Sequence, residues 1–536
     1  MKRNKALVLL LALVMLVSSI ALSGCGKTED TPATTSTETP EATASTQPAE
    51  SVDEGSIASQ YSQIDLSKPY TVNVYQLGDA PKDLQKVNDA INEILKDVNT
   101  TLKMNFIAWG DLATKYSLIL AGGEDVDLMF TAPWNYYYSE VPKGAFMEIT
   151  DEFLTKCMPQ TKQTQEPAAW DSVKINGKIY GVPKNVMSPE AKFVAIRDDL
   201  RLKYGLPALT DLASYENYLT MIAEKETPVS GIFGIAASAG NAELQRVWMQ
   251  QSEIFDGVNA QIGPFAYLYN GGVVPKESDF FVLWDSQYMR DYYKRMKYLY
   301  EKGAWSKDAL SGTVSDDDAF ANGQGASIAW NGTVYRYGKL AEKNIPGAVV
   351  GYYDLTQGKV VNAENYSNAI MAIAAASKNQ ERSGMVLDLL KNYTPLYRLY
   401  VGGFENEHYK VTADGLRDLG PAADNYGWDN CGWGIRRNDL LDMANEDPRE
   451  KTLNATFKPR MVVPPTNGFV FNPEPVKNES AAVQAVIDEY QPMLQLGMVD
   501  DVDAKINEML ERMKKSGLET VKTEFLKQYS AWLATK

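Results

Sequence analysis

The sequence contains very little histidine and cysteine, and this scarcity limits its chemistry. Among 536 residues there is one histidine, His408, and there are three cysteines. A zinc site built from several histidines therefore cannot form, and an HExxH metalloprotease helix is excluded. Two of the cysteines, Cys157 and Cys431, do not have the spacing of metal ligands. One extracellular disulfide between them is an alternative, but we expect two separate buried thiols.

An excess of positive charge is also absent. Lysine and arginine number 53 against 69 aspartates and glutamates, and the formal net charge is −16 at pH 7. Strong negative charge disfavours a phosphate-backbone partner, so we expect no nucleic acid to bind. The acidic run Asp316 to Asp318 lacks the spacing of a calcium-binding EF-hand loop, and a solvated loop leading into a helix is expected there. We predict no metal and no cofactor.

The longest apolar run lies at the amino terminus and predicts a secretion signal over residues 1–24. Three basic residues precede the almost wholly apolar segment 6–22. Leu-Ser-Gly-Cys, ending at Cys25, resembles the bacterial lipobox. That resemblance implies cleavage before Cys25 and lipidation of that residue, and two or three acyl chains form a stable membrane anchor. A chance cysteine after an ordinary signal is the alternative.

Residues 25–60 contain the predicted anchor cysteine and then a tether. The tether is rich in Thr, Ser, Ala, Pro and Glu, and its only sizeable apolar side chains are Val52 and Ile57. Such a composition cannot offset the entropy of ordering, so we predict disorder. About 35 residues of coil reach roughly 30–35 Å. The remaining chain, about 470 residues, exceeds one typical core and predicts two lobes.

Strands and helices alternate after the tether. Residues 71–77 alternate as a strand, and apolar residues at helical spacing over 84–98 predict a helix. Asp79, before Ala80 and Pro81, is an N-cap signal for that helix. A strand over 102–106, a helix over 112–121 and a buried strand over 126–130 follow. This β-α-β-α-β pattern predicts a parallel sheet and an α/β fold, and the last sixty residues are predicted to be helical.

Aromatic residues follow the ends of two predicted strands. Trp134, Asn135 and Tyr136 come directly after the strand that ends before Pro133, and Trp330-Asn331 ends a strand over 325–330. In open α/β sheets, ligands bind beyond the carboxyl ends of the strands. An aromatic ledge with a polar tip suits a flat, hydroxyl-rich ligand such as a sugar. The alternative is a loop that only packs over the edge of the sheet.

Several motifs together resemble the extracellular solute-binding proteins of ABC transporters, in the carbohydrate branch related to maltose-binding protein. They include the lipobox, Asn-Gly-Lys-Ile-Tyr-Gly-Val-Pro over 176–183 and Arg-Asp-Asp-Leu-Arg-Leu-Lys-Tyr-Gly over 197–205. Further segments are similar to a Gram-positive lipoprotein subgroup that carries its own C-terminal domain: 78–84, 106–111, 121–128, 402–409 and 471–479. The resemblance extends from about Tyr70 to the end of the chain.

The resemblance implies a periplasmic-binding-protein-like two-lobe fold of the class II type, with a helical C-terminal region. The ligand would lie in a cleft between lobes that two or three crossing segments join. We place crossings at 185–196 and 366–371. We expect the two-lobe core over 61–400 and, over 401–536, a C-terminal domain that completes the lobes.

The resemblance also implies where the ligand binds. By position, Asp79 would face sugar hydroxyls, and the segments 130–135 and 327–330 would contribute from the two lobes. Thr131 to Asn135 replaces the charged residues of the maltose pattern, which argues against maltose itself. The expected ligand-binding residues are Asp79, Trp109, Trp134, Asn135, Tyr136, Trp330, Asn331, Glu405, His408, Trp428 and Trp433.

Structural roles are the alternatives for several of these residues. The alternative for Asp79 is a helix cap alone, and that for Trp109 is a core position. A lone histidine such as His408 is more often structural. Trp428 and Trp433 flank Cys431 in a glycine-rich loop and are either a third sugar wall or packing.

The expected function is that of a monomeric, lipid-anchored receptor without catalytic activity. It would capture an oligosaccharide outside a Gram-positive cell and deliver it to the permease subunits of an ABC importer. One alternative is a secreted glycoside hydrolase, which needs two carboxylates roughly 5–9 Å apart. Another is a peptide receptor of the same fold, although the aromatic density favours sugar.

Overall fold

The computed structural model describes residues 57–122, 125–235, 243–257, 262–311, 315–356, 358–429, 431–437 and 441–536. These residues belong to one compact unit, Gly55–Lys536. The predicted signal peptide, Cys25 and most of the predicted tether lie outside the described residues. No helix in the described ranges combines the length and the apolarity that crossing a membrane requires.

The strands of the described residues, in chain order, are β1 (Tyr70–Leu77), β2 (Thr100–Ile107), β3 (Leu128–Thr131), β4 (Lys174–Ile175), β5 (Lys178–Ile179), β6 (Val182–Pro183), β7 (Ser188–Pro189), β8 (Phe193–Arg197), β9 (Phe233–Ile235), β10 (Ile254–Asp256), β11 (Phe265–Leu268), β12 (Phe281–Val282), β13 (Gly325–Trp330), β14 (Val350–Tyr353), β15 (Val361–Glu364), β16 (Ile370–Ile373), β17 (Tyr409–Val411), β18 (Arg417–Leu419) and β19 (Met461–Val462).

The α-helices of the same residues are Leu84–Leu95, Leu112–Ala121, Tyr137–Glu140, Asp151–Cys157, Pro159–Thr164, Pro167–Asp171, Asp198–Lys203, Leu212–Met221, Thr227–Ser230, Glu243–Gln251, Gln287–Glu301, Asp316–Ala321, Thr333–Asn344, Gln380–Asn392, Thr394–Gly402, Pro448–Phe457, Lys477–Gln495, Val502–Lys515 and Leu518–Leu533.

The first main sheet has the order β2-β1-β3-β16-β6. β1 is parallel to both β2 and β3, as the alternating sequence pattern predicts. β16 and β6 are antiparallel additions that come from later in the chain. Helix Leu84–Leu95 buries Val87, Ile91 and Leu95 against this sheet, which is the apolar stripe that the spacing indicates.

The predicted N-cap of that helix is wrong. Helix Leu84–Leu95 has Asp83 at its N-cap position, four residues after Asp79. The backbone N–H of Leu84 donates to the carbonyl oxygen of Pro81, so the Ala-Pro segment forms a turn before the helix. The N–H of Asp83 donates to the carbonyl oxygen of Asn425, so a distant segment fixes where the helix begins.

The second main sheet has the order β14-β8-β13-β9. β8 pairs antiparallel with both β13 and β14, and β13 pairs parallel with β9. Helices Lys477–Gln495, Val502–Lys515 and Leu518–Leu533 share a hydrophobic core with this part of the chain. The helical end predicted from sequence therefore completes the second lobe.

Three crossing segments join the lobes through a small sheet of order β19-β15-β7. The chain leaves the first sheet after β6, passes through β7 and enters the second sheet at β8, within the predicted crossing 185–196. It returns through β15 to β16, around the predicted crossing 366–371. A third passage leads to β19, which pairs parallel with β15. We call this three-stranded sheet and its crossings the hinge.

Cys157 and Cys431 are both free and buried. The prediction of two separate thiols is therefore confirmed. Burial raises the pKa of each thiol to about 12, so neither is a reactive thiolate at neutral pH.

Candidate functional site

The two main sheets each present one edge to the hinge. In the first sheet, Ile370 pairs with Thr131 at the end of β3 and with Pro183 at the end of β6. In the second sheet, Trp330 at the end of β13 pairs with Phe193 at the start of β8. Since the first crossing runs from β6 to β8, the edges that carry Thr131 and Trp330 both adjoin the hinge.

Three tryptophans and a phenylalanine gather at the hinge edge of the first sheet. The ring centroids of Trp109 and Trp134 lie 6.3 Å apart, and those of Trp109 and Trp433 lie 5.9 Å apart. Phe130 lies beneath them, 5.8 Å from Trp134 and 5.7 Å from Trp433. Trp109 is 51% exposed and Trp134 is 45% exposed, although large aromatic side chains normally bury most of their surface. We call Trp109, Trp134 and Trp433 the tryptophan platform.

Backbone features hold the platform in place. The Trp134 indole N–H donates to the carbonyl oxygen of Asn368 in the second crossing, at 2.9 Å. A Cβ on Gly434 would lie 2.6 Å from Cγ of Met371, so only glycine lets the Trp433 segment pack this closely on β16. Gly78 has φ +100°, and a Cβ there would lie 3.5 Å from the Trp109 indole nitrogen. The space at Gly78 is ordinary contact, so its positive φ is what favours glycine there, whereas at Gly434 the close approach to Met371 requires it.

Asn135 lies beneath the loop that carries Trp134, not on its surface. Its side chain is fully buried, and its Nδ2 donates to the carbonyl oxygen of Phe130 at 3.3 Å. The Thr131 hydroxyl donates in turn to the Asn135 carbonyl oxygen at 2.8 Å. Tyr136, at φ +61°, stacks on Tyr116 with centroids 5.0 Å apart. Asn135 and Tyr136, which were predicted to bind ligand, therefore stabilise the loop that carries Trp134.

Buried charges surround the platform on its hinge side. Lys184, which is fully buried, lies 3.1 Å from Glu364, and Glu364 also accepts hydrogen bonds from Ser188 and Asn368. Burial alone would raise the pKa of Glu364, but Lys184 and the Ser188 hydrogen bond outweigh it and lower that pKa to about 2. Two nitrogens of the Arg436 guanidinium, Nη2 and Nε, donate to the same oxygen of Asp429, Oδ2, at 2.5 and 2.6 Å. Lys184, Ser188, Glu364 and Asn368 thus join the first and second crossings, and the Asn185 N–H donates to the Arg436 carbonyl oxygen at 2.8 Å.

In the second lobe, Trp330 lies at the end of β13, the edge of the second sheet that adjoins the hinge. The Lys192 ammonium lies 4.1 Å from the centroid of the Trp330 ring, a close cation–π contact. Asn331 Oδ1 accepts from the backbone N–H and the hydroxyl of Thr333, so Asn331 organises the start of helix Thr333–Asn344.

Two of the remaining predicted residues, His408 and Trp428, pack inside the fold. His408 is buried, its Nδ1 accepts from the Phe404 N–H at 2.9 Å, and its Nε2 lies 3.0 Å from Asp83. Since Nδ1 accepts, the Nε2 proton points to Asp83, and both ring nitrogens are occupied. Trp428 packs edge-on against Tyr409, with centroids 4.9 Å apart. Glu405 and Asp79 are exposed, and Asp79 directly follows Gly78.

Asp83, Glu407 and His408 are the one group among the described residues that has the types and spacing of metal ligands. The Lys86 ammonium already binds both carboxylate oxygens of Glu407, at 2.5 and 2.6 Å. The oxygens of Glu407 are therefore bound to Lys86, and His408 and Asp83 are hydrogen-bonded to each other.

Sequence reasoning missed the hinge charges Lys184, Glu364, Asp429 and Arg436. They come from separate parts of the chain, and no local spacing joins them. Lys184 directly follows β6 and Glu364 ends β15, so the available signal for these two was a charged residue at the end of a short strand, whereas Asp429 and Arg436 lie in a glycine-rich loop that offered none.

Comparisons with known proteins agree with this architecture. Residues 465–534 match a family model described as a domain of unknown function (DUF3502). A carbohydrate ABC transporter substrate-binding protein of Streptococcus pneumoniae is 25% identical over 481 residues, which covers 87% of this chain and 91% of that protein. The crystal structure of the N-glycan transport solute binding protein NgtS from the same species has a TM-score of 0.69 at 23% identity, covering 87% of this chain and 99% of NgtS.

An alginate-binding protein has a TM-score of 0.62 at 16% identity and covers 87% of this chain and 98% of its own. Each of these comparisons covers 87% of the chain, and the family model matches within its helical end. The chain therefore has the two-lobe fold of solute-binding proteins, and it is a homologue of a carbohydrate ABC transporter substrate-binding protein.

Proposed function

We propose that this protein captures an oligosaccharide in the cleft beside the hinge and delivers it, uncleaved, to an ABC importer. The observation that carries the proposal is the tryptophan platform, with two of its indoles about half exposed at the hinge edge of the first sheet. Pyranose rings have apolar faces that stack on such indoles, and their hydroxyls need polar partners nearby.

The relatives support a carbohydrate ligand. NgtS has been crystallised with Man1GlcNAc and with Man5GlcNAc, and a pneumococcal ABC-transporter substrate-binding protein, FusA, has been crystallised with kestose. All three ligands are oligosaccharides. The same class of ligand fits a site built from several indoles.

We assign the ligand contacts of the first lobe to Trp109, Trp134 and Trp433, and that of the second lobe to Trp330. A ligand that touches both lobes favours the closed arrangement by its differential contacts, and the hinge strands are the elements that would absorb the motion. Asp79, next to the platform, is a further candidate contact with sugar hydroxyls. The importer would then distinguish the closed, loaded form from the open form.

We also propose that acyl chains on Cys25 anchor the protein to the outer face of the cell membrane. The lipobox-like sequence and the low-complexity stretch after it support this placement. The folded unit would then act as a monomer close to the permease subunits.

The test is a binding screen of the purified protein against oligosaccharides and short peptides, read by thermal shift and then by isothermal titration calorimetry. A ligand at a hundred times its Kd should stabilise the fold by about 2.7 kcal/mol. Trp109→Ala should abolish most of the binding, whereas Tyr298→Ala, a substitution of a comparably exposed aromatic in the other lobe, should not.

Chromatography of the bound sugar after prolonged incubation should return it intact. If the sugar is cleaved, the protein is a glycoside hydrolase and the receptor hypothesis is wrong. Binding of peptides alone would show that the platform recognises a different class of ligand.

A further inference from the structure

β2 is an outermost strand of the first main sheet and pairs only with β1 in that sheet. The outward backbone groups of such a strand can bind a further strand, and a second copy of the same chain can supply one. What occupies the outer side of β2 therefore decides whether copies of the chain can associate through it.

Two asparagines of helix Leu84–Leu95 occupy the outer side of β2. Asn92 Oδ1 accepts from the backbone N–H of Leu102 at 2.6 Å. Asn88 Oδ1 accepts from the backbone N–H of Met104 at 3.3 Å. The Leu102 carbonyl oxygen accepts from the Nδ2 groups of both asparagines, at 2.9 and 3.1 Å. Because the asparagines are four positions apart, they lie on one face of the helix. Together they satisfy three successive outward backbone groups, as a neighbouring strand would.

Lys103 adds a charge at the same place. It lies between Leu102 and Met104 and is exposed. If the β2 strands of two copies paired antiparallel through these outward groups, Leu102 of one copy would face Met104 of the other. The two Lys103 side chains would then lie directly opposite each other. Opposed like charges destabilise a pair of strands, and lysine on an outermost strand is a common obstacle to strand addition.

The second main sheet has its outer backbone groups occupied in the same way. β14 is an outermost strand of that sheet. The Val350 N–H donates to Glu342 Oε1 at 2.9 Å, and the Val350 carbonyl oxygen accepts from Arg449 Nη1 at 2.6 Å. At the other side of the sheet, the Ile235 N–H of β9 donates to the carbonyl oxygen of Ala304 at 3.1 Å. Occupied outer strands thus recur in both lobes.

We propose that Asn88, Asn92 and Lys103 block strand addition to β2 and so prevent copies of this chain from associating through the first lobe. The asparagines occupy the backbone groups that a second strand needs, and the lysine repels its counterpart. This inference is independent of the ligand and goes beyond the proposed function. It concerns a surface formed by the outer side of β2 and helix Leu84–Leu95, which does not include the tryptophan platform.

The test is the oligomeric state of Asn88→Ala/Asn92→Ala, measured on the purified full chain by size-exclusion chromatography with light scattering. Detergent is present throughout, so that the apolar amino-terminal segment does not itself drive association. Alanine is a stronger helix former than asparagine and adds no large apolar surface, so the substitutions remove the amide groups without weakening the helix. Gln85→Ala/Asp89→Ala is the matched control, because it removes a hydrogen-bonded pair of the same spacing, 2.7 Å long, from the same helix.

The double variant Asn88→Ala/Asn92→Ala should form dimers, with a twofold rise in molecular mass, at concentrations where the unsubstituted protein and the control remain monomeric. Added salt should strengthen this association, because salt screens the repulsion between the two Lys103 charges. Lys103→Thr in the same background should strengthen the association further and remove most of its dependence on salt.

A double variant that stays monomeric would overturn the proposal, and so would association that the control shares or that salt weakens. Amide hydrogen exchange distinguishes association through β2 from unfolding. In the dimer the backbone amides of Leu102 and Met104 should remain protected, whereas unfolding exposes amides throughout the chain. If the double variant does not fold, Asn88→Ala and Asn92→Ala are measured singly by the same criteria, since each leaves the Leu102 carbonyl oxygen with one amide partner.

Discussion

The indole of Trp134 donates a hydrogen bond to the carbonyl oxygen of Asn368 at 2.9 Å, although 234 positions separate the two residues. Trp134 belongs to the platform, and Asn368 belongs to the second crossing, where its side chain donates to Glu364. A ligand stacked on Trp134 thus lies two hydrogen bonds away from the buried ion pair of the hinge. This links the surface that would hold sugar to the segments that would move.

Trp134→Phe should weaken oligosaccharide binding less than Trp134→Ala. Phenylalanine keeps an aromatic face but loses the hydrogen bond to Asn368, whereas alanine removes the face as well. Loss of one aromatic contact should cost about 0.5–1.5 kcal/mol beyond the lost buried area. Calorimetric titration of the unsubstituted protein, Trp134→Phe and Trp134→Ala measures the difference in sugar affinity, and Tyr298→Ala is the control. Equal sugar affinities of these three proteins would show that the ligand does not contact Trp134.

The sequence predicts well those parts of the site that local patterns encode. The β-α-β-α-β start follows from alternation and helical spacing, the strand end before Trp134 follows from a short apolar run that stops at Pro133, and the strand end at Trp330 follows from a run of small residues. The contact between Trp109 and Trp433 could not be predicted, because nothing local joins residues from the first and the last part of the first lobe. The buried ion pair of Lys184 with Glu364 depends in the same way on tertiary structure.

The N-cap error shows the same limit at a smaller scale. Asp79-Ala80-Pro81 has the composition of a helix start, but the N–H of Asp83 is bonded to Asn425 and the side chain of Asp83 to His408. Contacts with a segment more than three hundred residues away decide which aspartate precedes the helix. Local propensity cannot anticipate that choice.

Glu364→Gln should strongly destabilise the fold. It removes the charge that faces the fully buried Lys184, and breaking a buried ion pair from one side typically costs about 3–5 kcal/mol. The double variant Lys184→Met/Glu364→Gln should recover much of the loss, because no buried charge is then left without a partner. Urea denaturation of the three proteins gives the free energies. If the double variant is no more stable than the single one, the pair is not the source of the effect.

Glu364 should also make stability depend on pH in the acid range. Its pKa is lowered to about 2 in the fold from 4.5 when unperturbed, so the folded state favours the charged form. The stabilisation is therefore complete above about pH 4.5 and is lost as the pH falls towards 2. Many carboxylates titrate in the same window, so the measurement is the difference between the unsubstituted protein and Glu364→Gln. That difference should shrink between pH 5 and pH 2.5, and a constant difference would contradict the assignment.

Replacing His408 should lower stability without changing sugar affinity. The imidazole accepts from the Phe404 N–H and donates to Asp83, which ties the segment after helix Thr394–Gly402 to the start of the first helix. His408→Ala loses both hydrogen bonds and leaves a buried gap, so we expect a loss of about 2–4 kcal/mol. Because both ring nitrogens are occupied inside the first lobe, the imidazole has no free group for a ligand. Denaturation and calorimetry on the same preparation separate the two roles: unchanged stability with weakened binding would make His408 a ligand contact.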